Sequence, residues 1–149
     1  MELRLLYSRW DIEIMVQGIA DRLEQRYSRE ESIHTICVMD GAVMFHSDLV
    51  RRLTSLDVIT DYIKVSSYVG ATSINPRIDI PTFSNTSEKK HIIVVEDICD
   101  TGHTLAMLLP VIQNVCQPLS LTTVCLLNKK ERRDVPVEPD IYGTICPDQ

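Results

Sequence analysis

One stretch of the chain, residues 91–105, constrains the fold more than any other. Ile92 to Val95 form an unbroken β-branched run, which is too short for a helix and apolar on both faces. Such a run is typical of a central parallel strand that is covered from both sides. Polar residues follow, and apolar residues then return at helical spacing at Leu105, Met107, Leu108 and Leu109. The stretch therefore predicts a buried strand, a short loop and a helix N-terminus, which presents backbone N–H groups to an anion.

The loop between this strand and helix carries groups that suit a sugar phosphate. Thr101, Gly102 and Thr104 can surround a phosphate with hydroxyl and backbone donors, and the glycine lets the backbone approach closely. Glu96 and Asp97 would repel a bare phosphate, but they can accept hydrogen bonds from ribose hydroxyls or hold Mg²⁺. The lysine of a nucleoside-triphosphate P-loop is missing. These residues favour a sugar phosphate over a nucleoside triphosphate, with Mg²⁺ as the expected cofactor.

The segment from Val94 to Thr104 resembles the phosphoribosyl-pyrophosphate (PRPP) signature of the type I phosphoribosyltransferases. It holds, in order, a hydrophobic run, Glu-Asp, two apolar residues, Asp-Thr-Gly, one variable position and Thr. The resemblance implies that Glu96 and Asp97 hold the ribose hydroxyls and Mg²⁺, and that Asp100 is the catalytic base near the purine imidazole.

The rest of the signature would hold the 5′-phosphate of PRPP. The resemblance assigns this role to Thr101, Gly102, His103 and Thr104. His103 occupies the variable position, which is more typical of a loop residue than of a catalyst. The alternative is a plain strand-to-helix connection, in which Asp100 or Thr101 caps the helix.

Composition agrees with a single globular domain, residues 1–149. A net charge of −6 argues against a nucleic-acid-binding face, so any phosphate site must be local. The sequence shows neither a signal peptide nor an apolar run long enough to cross a membrane. Five cysteines without CxxC spacing favour reduced thiols over a disulfide framework or a zinc site. We therefore expect a cytoplasmic protein without nucleic-acid or membrane partners.

The remaining hydrophobic patterns alternate between helix and strand. The fold class that they and the resemblance predict is α/β: a central, mainly parallel, twisted sheet flanked by helices, with a long flexible loop over the site. Asp11 is the expected N-cap of the first helix. The expected elements are a helix over Asp11–Tyr27, a strand over Ile33–Met39, a helix over Phe45–Leu53, and strands over Val58–Val65, Leu119–Leu127 and the segment from Val137.

The turn after the first strand resembles a second family motif. Residues 38–45 look like the pyrophosphate loop of the hypoxanthine and guanine branch, in which a glycine at the position of Gly41 lets backbone amides face the pyrophosphate. The residue before this glycine is often Lys in the branch and is Asp40 here. Asp40-Gly41 also suits an ordinary turn.

A long segment between two strands, residues 70–90, is the expected lid. Ser67 and Tyr68 resemble the start of the loop that closes over PRPP in this branch. A lid has a chemical purpose, since water would otherwise capture the sugar as positive charge develops at its anomeric carbon. The alternative is a strand end followed by a flexible hairpin.

A charged stretch, residues 128–133, follows the Leu119–Leu127 strand. Lys129 lies where the purine branch places a lysine that donates to the exocyclic oxygen of a 6-oxopurine, which would select against adenine. Lys130 could take this role instead, and the whole stretch could be a solvated face.

The resemblance implies a purine-salvage transferase, which converts PRPP and hypoxanthine or guanine to a nucleoside monophosphate and pyrophosphate. It also implies a homo-oligomer, either a dimer or a tetramer. In the family an aromatic residue, a second Asp and an Arg follow the position of Gln149, so we expect PRPP binding to be better preserved than catalysis. The alternatives are a binding module that performs no transfer, which Asp40 favours, and a transferase for another base such as a pyrimidine.

Overall fold

The apolar runs of the sequence form the strands of one α/β sheet. The computed structural model describes residues 3–29, 32–67, 76–79 and 90–147. The elements within these ranges are, in chain order, α1 (Arg9–Tyr27), β1 (Ser32–Met39), α2 (Val43–Val50), β2 (Asp57–Ser67), β3 (Pro76–Asp79), β4 (His91–Cys99), α3 (His103–Cys116), β5 (Ser120–Asn128), a 3₁₀ turn (Lys130–Arg132) and β6 (Ile141–Ile145).

The described strands form one 6-stranded sheet in the order β3-β2-β1-β4-β5-β6. All neighbouring pairs are parallel except β2 and β3, which are antiparallel. The mainly parallel sheet of the sequence prediction is therefore confirmed. Tyr68 and most of the 70–90 segment lie outside the described residues, so the predicted lid stays a prediction.

The sheet is covered on both faces, as the β-branched run of β4 requires. Ile93 and Val95 pack on one side in a cluster with residues of α1 and α2, including Ile19 and Leu49. Ile92 and Val94 pack on the other side in a cluster with the buried residues of α3, which are Leu105, Leu108, Ile112 and Cys116. Alternate residues of β4 thus serve opposite halves of the core.

The N-terminus of α1 differs from the prediction by its capping residue. Ser8, not Asp11, is the N-cap, and its Oγ accepts a hydrogen bond from the Asp11 backbone N–H at 3.2 Å. The Asp11 carboxylate in turn accepts from the Ser8 backbone N–H at 2.7 Å. Asp11 is therefore the third helical residue of a capping box. The hydrogen bonds that its carboxylate accepts from the Ser8 hydroxyl and from the Ser8 backbone N–H lower the pKa of the carboxyl group.

Two other predicted boundaries move for identifiable reasons. The strand β4 continues past its apolar run, because Glu96, Ile98 and Cys99 still pair with β5. Helix α2 ends at Val50 rather than at Leu53, whose side chain is nevertheless buried in the core. The apolar pattern therefore predicted the burial of Leu53 correctly, although the backbone there is no longer helical.

Candidate active site

The candidate site residues gather at the carboxyl ends of three adjacent strands. Asp40 and Gly41 follow β1, Asp100 follows β4 and Lys129 follows β5. After β1 the chain adds β2 and β3 on one side of β1, and then returns to add β4 on the other side. This reversal is a topological switch point, where open parallel sheets bind their ligands.

The acidic residues of β4 contact the turn that follows β1. A Cβ atom at Gly41 would lie only 2.5 Å from Asp97 Oδ2, so the glycine leaves the space that this carboxylate occupies. The structure thus brings together the predicted pyrophosphate loop and the predicted ribose and Mg²⁺ ligand. Position 41 requires glycine because the Asp97 carboxylate lies so close to it. This reason could not be predicted from the sequence.

Glu96 is the more buried member of the acidic pair. Burial is the main cause that raises the pKa of Glu96 to about 8, followed by the hydrogen bond that protonated Glu96 donates to the Asp97 carboxylate and by the negative charge of Asp97. Beneath the pair, burial and then the charges of Glu96 and Asp97 raise the pKa of the Cys37 thiol to about 11. The two carboxyl groups therefore lie in a site that disfavours a second negative charge, and a cation or hydroxyl donors would stabilise the charged form of both.

The negative charge of Asp40 is compensated by a lysine on the neighbouring strand. Its carboxylate lies 3.2 Å from Lys64 Nζ on the neighbouring strand β2. Lys64 pairs in register with Met39, the residue before Asp40. The ion pair of Lys64 with Asp40 could not be predicted, because local spacing does not indicate which parallel strand lies beside β1.

The predicted phosphate loop forms a small cavity of about 60 Å³. Its lining includes Asp100, Thr101, Gly102 and Thr104, but not His103. His103 is exposed, and its Nε2 lies 3.2 Å from Asp134 Oδ2. Two larger cavities lie elsewhere, and neither contains residues of the carboxylate pair or the phosphate loop.

Helix α3 begins directly behind this loop without a side-chain cap. Its N-cap is Gly102, with φ of +89°, and no side chain accepts a capping hydrogen bond there. The N-cap is therefore neither Asp100 nor Thr101, although Thr101 Oγ1 accepts a long hydrogen bond of 3.5 Å from the His103 backbone N–H. The first turn of α3 remains open to an anion in the cavity.

The carboxylate of Asp100 lies in an ion pair that leaves one of its oxygens without a hydrogen bond. Its Oδ1 lies 3.1 Å from Arg132 Nε, an ion-pair distance. The same oxygen is buried and has no hydrogen-bond partner of suitable geometry among the described residues. Arg132 thus supplies charge beside Asp100 without satisfying the oxygen as an acceptor.

The turn after β5 lies along the phosphate loop and donates to it. The backbone N–H of Lys129 donates to the Cys99 carbonyl at 2.9 Å, and that of Asp134 donates to the Thr101 carbonyl at 2.9 Å. The Asp100 carbonyl between them accepts from Arg133 Nε at 3.1 Å. Three successive carbonyls of the loop are therefore held from one side.

The same contacts correct the interpretation of residues 128–133 as a solvated face. Asn128 is buried, and the Arg133 side chain is only 9% exposed. Arg133 also explains the glycine at position 102, because a Cβ there would lie 2.8 Å from Arg133 Cδ. A charged run gives no local signal that one of its members is buried, so sequence alone could not identify Arg133.

The structure separates the two candidate lysines. Lys130 Nζ lies 6.0 Å from the centroid of the Tyr142 ring, within the range of a cation–π contact. Lys129 is half-buried at the end of β5, beside the phosphate loop.

Ser67, the predicted start of the lid, ends β2, where its backbone pairs with Pro76 of β3.

Comparison with known proteins identifies the family. The family described as "Phosphoribosyl transferase domain" matches residues 10–148 of the chain. The chain belongs to the phosphoribosyltransferase family. Among the residues that the structure describes, this phosphoribosyltransferase has no helix long and apolar enough to cross a membrane.

Relatives and solved structures resemble this phosphoribosyltransferase over most of its length. The hypoxanthine-guanine-xanthine phosphoribosyltransferase of Tritrichomonas foetus is 36% identical over 138 residues, which cover 91% of this chain and 74% of the relative. The hypoxanthine-guanine phosphoribosyltransferase of Aquifex aeolicus is 34% identical, with coverage of 99% and 83%. A solved hypoxanthine phosphoribosyl transferase of Trypanosoma cruzi superposes with a TM-score of 0.87 at 30% identity, with coverage of 97% and 78%.

Proposed function

We propose that this phosphoribosyltransferase acts in purine salvage, converting PRPP and hypoxanthine or guanine to IMP or GMP and pyrophosphate. The observation that carries the proposal is the meeting, at one sheet edge, of a carboxylate pair, a phosphate-sized loop, Asp100 and a half-buried lysine. Relatives and structural neighbours with at least 30% identity are named as hypoxanthine or hypoxanthine-guanine phosphoribosyltransferases. Their names support the choice of a purine over a pyrimidine.

PRPP would lie across the switch point between β1 and β4. Its 5′-phosphate would occupy the cavity at Thr101, Gly102 and Thr104, where the first turn of α3 offers N–H donors. Its ribose hydroxyls would donate to Glu96 and Asp97. The pyrophosphate would then lie toward the Asp40-Gly41 turn, with Lys64 as a nearby positive charge.

Mg²⁺ suits the carboxylate pair as an ion that arrives with PRPP. Hard carboxylate oxygens are suitable ligands, and a divalent cation would offset the burial and the neighbouring Asp97 charge that raise the pKa of Glu96. No group of three or more His, Cys, Asp or Glu that could hold a metal occurs among the described residues. Glu96 and Asp97 would therefore share the ion with substrate oxygens, and the bound ion would neutralise charge on the leaving pyrophosphate.

Transfer forms a bond between a purine imidazole nitrogen and the anomeric carbon, while the bond from that carbon to pyrophosphate breaks. The proton lost by the imidazole would pass to Asp100, whose Oδ1 lacks a hydrogen-bond partner among the described residues. Ser67 and Tyr68 are proposed to begin the lid that excludes water during this step.

Lys129 is proposed to select the base. Its ammonium group can donate to the exocyclic oxygen of a 6-oxopurine, whereas the amino group of adenine would leave it without an acceptor. Lys130 is the weaker candidate, because its ammonium group lies near the Tyr142 ring.

The five cysteines are all buried and form no disulfide, which supports a cytoplasmic location, because a reducing compartment prevents disulfide formation. We also propose a homo-oligomer, either a dimer or a tetramer. Sedimentation of the purified protein tests the assembly state directly.

Nucleotide formation from PRPP and Mg²⁺ with hypoxanthine, guanine, xanthine or adenine tests the activity. We expect nucleotide from a 6-oxopurine but not from adenine. Lys129→Met should lower kcat/KM for the 6-oxopurine by about 10-fold or more, because a buried polar group of the base loses its partner. Lys130→Met is the matched control and should retain the wild-type value.

No nucleotide with any of the four bases, together with retained PRPP binding, would contradict the proposal. That result would instead indicate a binding module that performs no transfer. Equal losses in the Lys129 and Lys130 variants would contradict the assignment of the selecting lysine.

A further inference from the structure

Arg133 is a buried cation that no step of the proposed reaction uses. Its side chain is 9% exposed. Toward the phosphate loop, its Nε donates to the Asp100 carbonyl at 3.1 Å and its Nη2 approaches the Cys99 carbonyl at 3.4 Å. The guanidinium group therefore fixes the backbone on which the Asp100 carboxylate is carried.

The same guanidinium group also holds the segment that follows β5. Nη2 donates to Asn128 Oδ1, Nη1 donates to the Val137 carbonyl, and Nη1 lies 3.3 Å from the Glu138 carboxylate. Asn128 directly precedes Lys129, and Glu138 supplies the opposite charge that a buried cation needs. Arg133 is thus bonded on both sides of the gap between the two loops.

Only an arginine can make this set of contacts. A guanidinium group offers five N–H donors in a rigid plane, whereas a lysine ammonium is a compact point charge. The acceptors of Arg133 belong to two separate loops, so one ammonium group could not satisfy them together. Gly102 completes the arrangement, since any Cβ there would collide with Arg133 Cδ.

We propose that Arg133 is a positioning residue, which holds Asp100 and Lys129 in one fixed frame so that a single purine ring can contact both. This inference rests on the proposed function. Purine binding and turnover depend on the relative placement of these two groups, and a displacement of about 1 Å can lower a rate by about 100-fold. The affinity for PRPP should depend less on Arg133, because the backbone N–H of Asp134 holds the Thr101 carbonyl independently.

The test compares Arg133→Lys and Arg133→Met with the wild type. The measurements are the Kd of PRPP with Mg²⁺, the KM of hypoxanthine, kcat and the melting temperature. Arg52→Met is the matched control, because Arg52 also donates to a backbone carbonyl, that of Asp48 at 2.9 Å, but lies in the turn after α2, outside the site. We expect both Arg133 variants to lose about 10-fold or more in kcat/KM for hypoxanthine, with a smaller change in the Kd of PRPP.

A purely structural role would lower the two affinities together and in proportion to the lost stability, and this result would overturn the proposal. Wild-type kinetics in Arg133→Met would also overturn it. If Arg133→Met fails to fold, Arg133→Lys decides, since it retains the charge. In Arg133→Ala, added guanidinium ion should partly restore turnover, and no restoration in a folded protein would count against the proposal.

The proposed activity and this inference can fail separately. If the wild type binds PRPP and hypoxanthine but forms no nucleotide, the proposed function fails. The affinity of the Arg133 variants for hypoxanthine then decides the inference, with a selective loss expected. A wild type that binds no purine overturns both.

Discussion

Gly41 and Gly102 serve the site by leaving space for side chains of other elements. The space at Gly41 accommodates the Asp97 carboxylate, and the space at Gly102 accommodates Arg133. Gly102 also has a φ of +89°, a conformation that L side chains rarely adopt. A motif identifies these glycines, but only the fold reveals which groups they face.

Replacement of Gly102 by Ala should therefore destabilise the protein. The left-handed backbone alone costs about 1–2 kcal/mol for a residue with a Cβ, and displacement of Arg133 adds to this. The control is Gly18→Ala in α1, where a Cβ meets nothing within 4 Å. Helix propensity predicts that this control gains about 0.5–1 kcal/mol. Urea unfolding measures both, and a Gly102→Ala protein as stable as the wild type would refute the strain argument.

At the scale of elements, helix α2 is tied to the sheet through a buried histidine. His46 Nε2 lies 2.9 Å from Thr35 Oγ1 on β1, and Thr35 Oγ1 lies 3.1 Å from Thr60 Oγ1 on β2. The His46 ring also meets the Tyr62 ring edge-on at 5.9 Å. Burial lowers the pKa of His46 below its ordinary value of 6.5.

This lowered pKa has a definite consequence for stability. The unfolded chain binds a proton at His46 more readily than the folded protein, so acid favours unfolding. The contribution is fully present above a pH of about 6.5 and is lost as the pH falls toward the folded pKa. His46→Gln should show a smaller loss of unfolding free energy between pH 7 and pH 5 than the wild type, as measured by urea unfolding at each pH. Parallel pH profiles would contradict this assignment.

The elements differ in how far sequence could predict them. The β-branched run of β4 predicted a doubly covered strand, because burial on both faces leaves a local signature. Its continuation through Glu96 and Ile98 had no such signature, since it depends on pairing with β5. The N-cap of α1 is Ser8 and not the predicted Asp11, because both residue types are good N-caps and spacing alone does not separate them.

The sequence predicted the site residues that belong to local motifs, but not those that act between distant segments. The motif identified the loop residues 96–104 and the turn at Asp40, and the structure brings these segments to one edge. Lys64, Arg132 and Arg133 escaped prediction, because each acts across a gap between segments distant in sequence. Burial of Arg133 also depends on the path of residues 128–138, which local composition describes only as charged.

Over the whole molecule, the proposed function requires a protein of net charge −6 to bind the highly anionic PRPP. The acidic pair at Glu96 and Asp97 would oppose this binding unless a cation accompanies PRPP. We therefore expect PRPP to raise the melting temperature with Mg²⁺ but not with a chelator. At about 100 times Kd, ligand binding adds about 2.7 kcal/mol to stability. Equal stabilisation by PRPP with and without Mg²⁺ would contradict the assignment of the acidic pair.

In the proposed function, the residues at the carboxyl edge of the sheet transfer a phosphoribosyl group to a purine, with Asp100 as the base. The most direct measurement is pyrophosphate release from PRPP and hypoxanthine by wild type and Asp100→Asn, with PRPP binding measured on the same samples. We predict release by the wild type, and a loss of about 10²- to 10⁴-fold in kcat for Asp100→Asn with PRPP binding nearly intact. Equal loss of binding and turnover in Asp100→Asn, or undiminished turnover, would contradict the account.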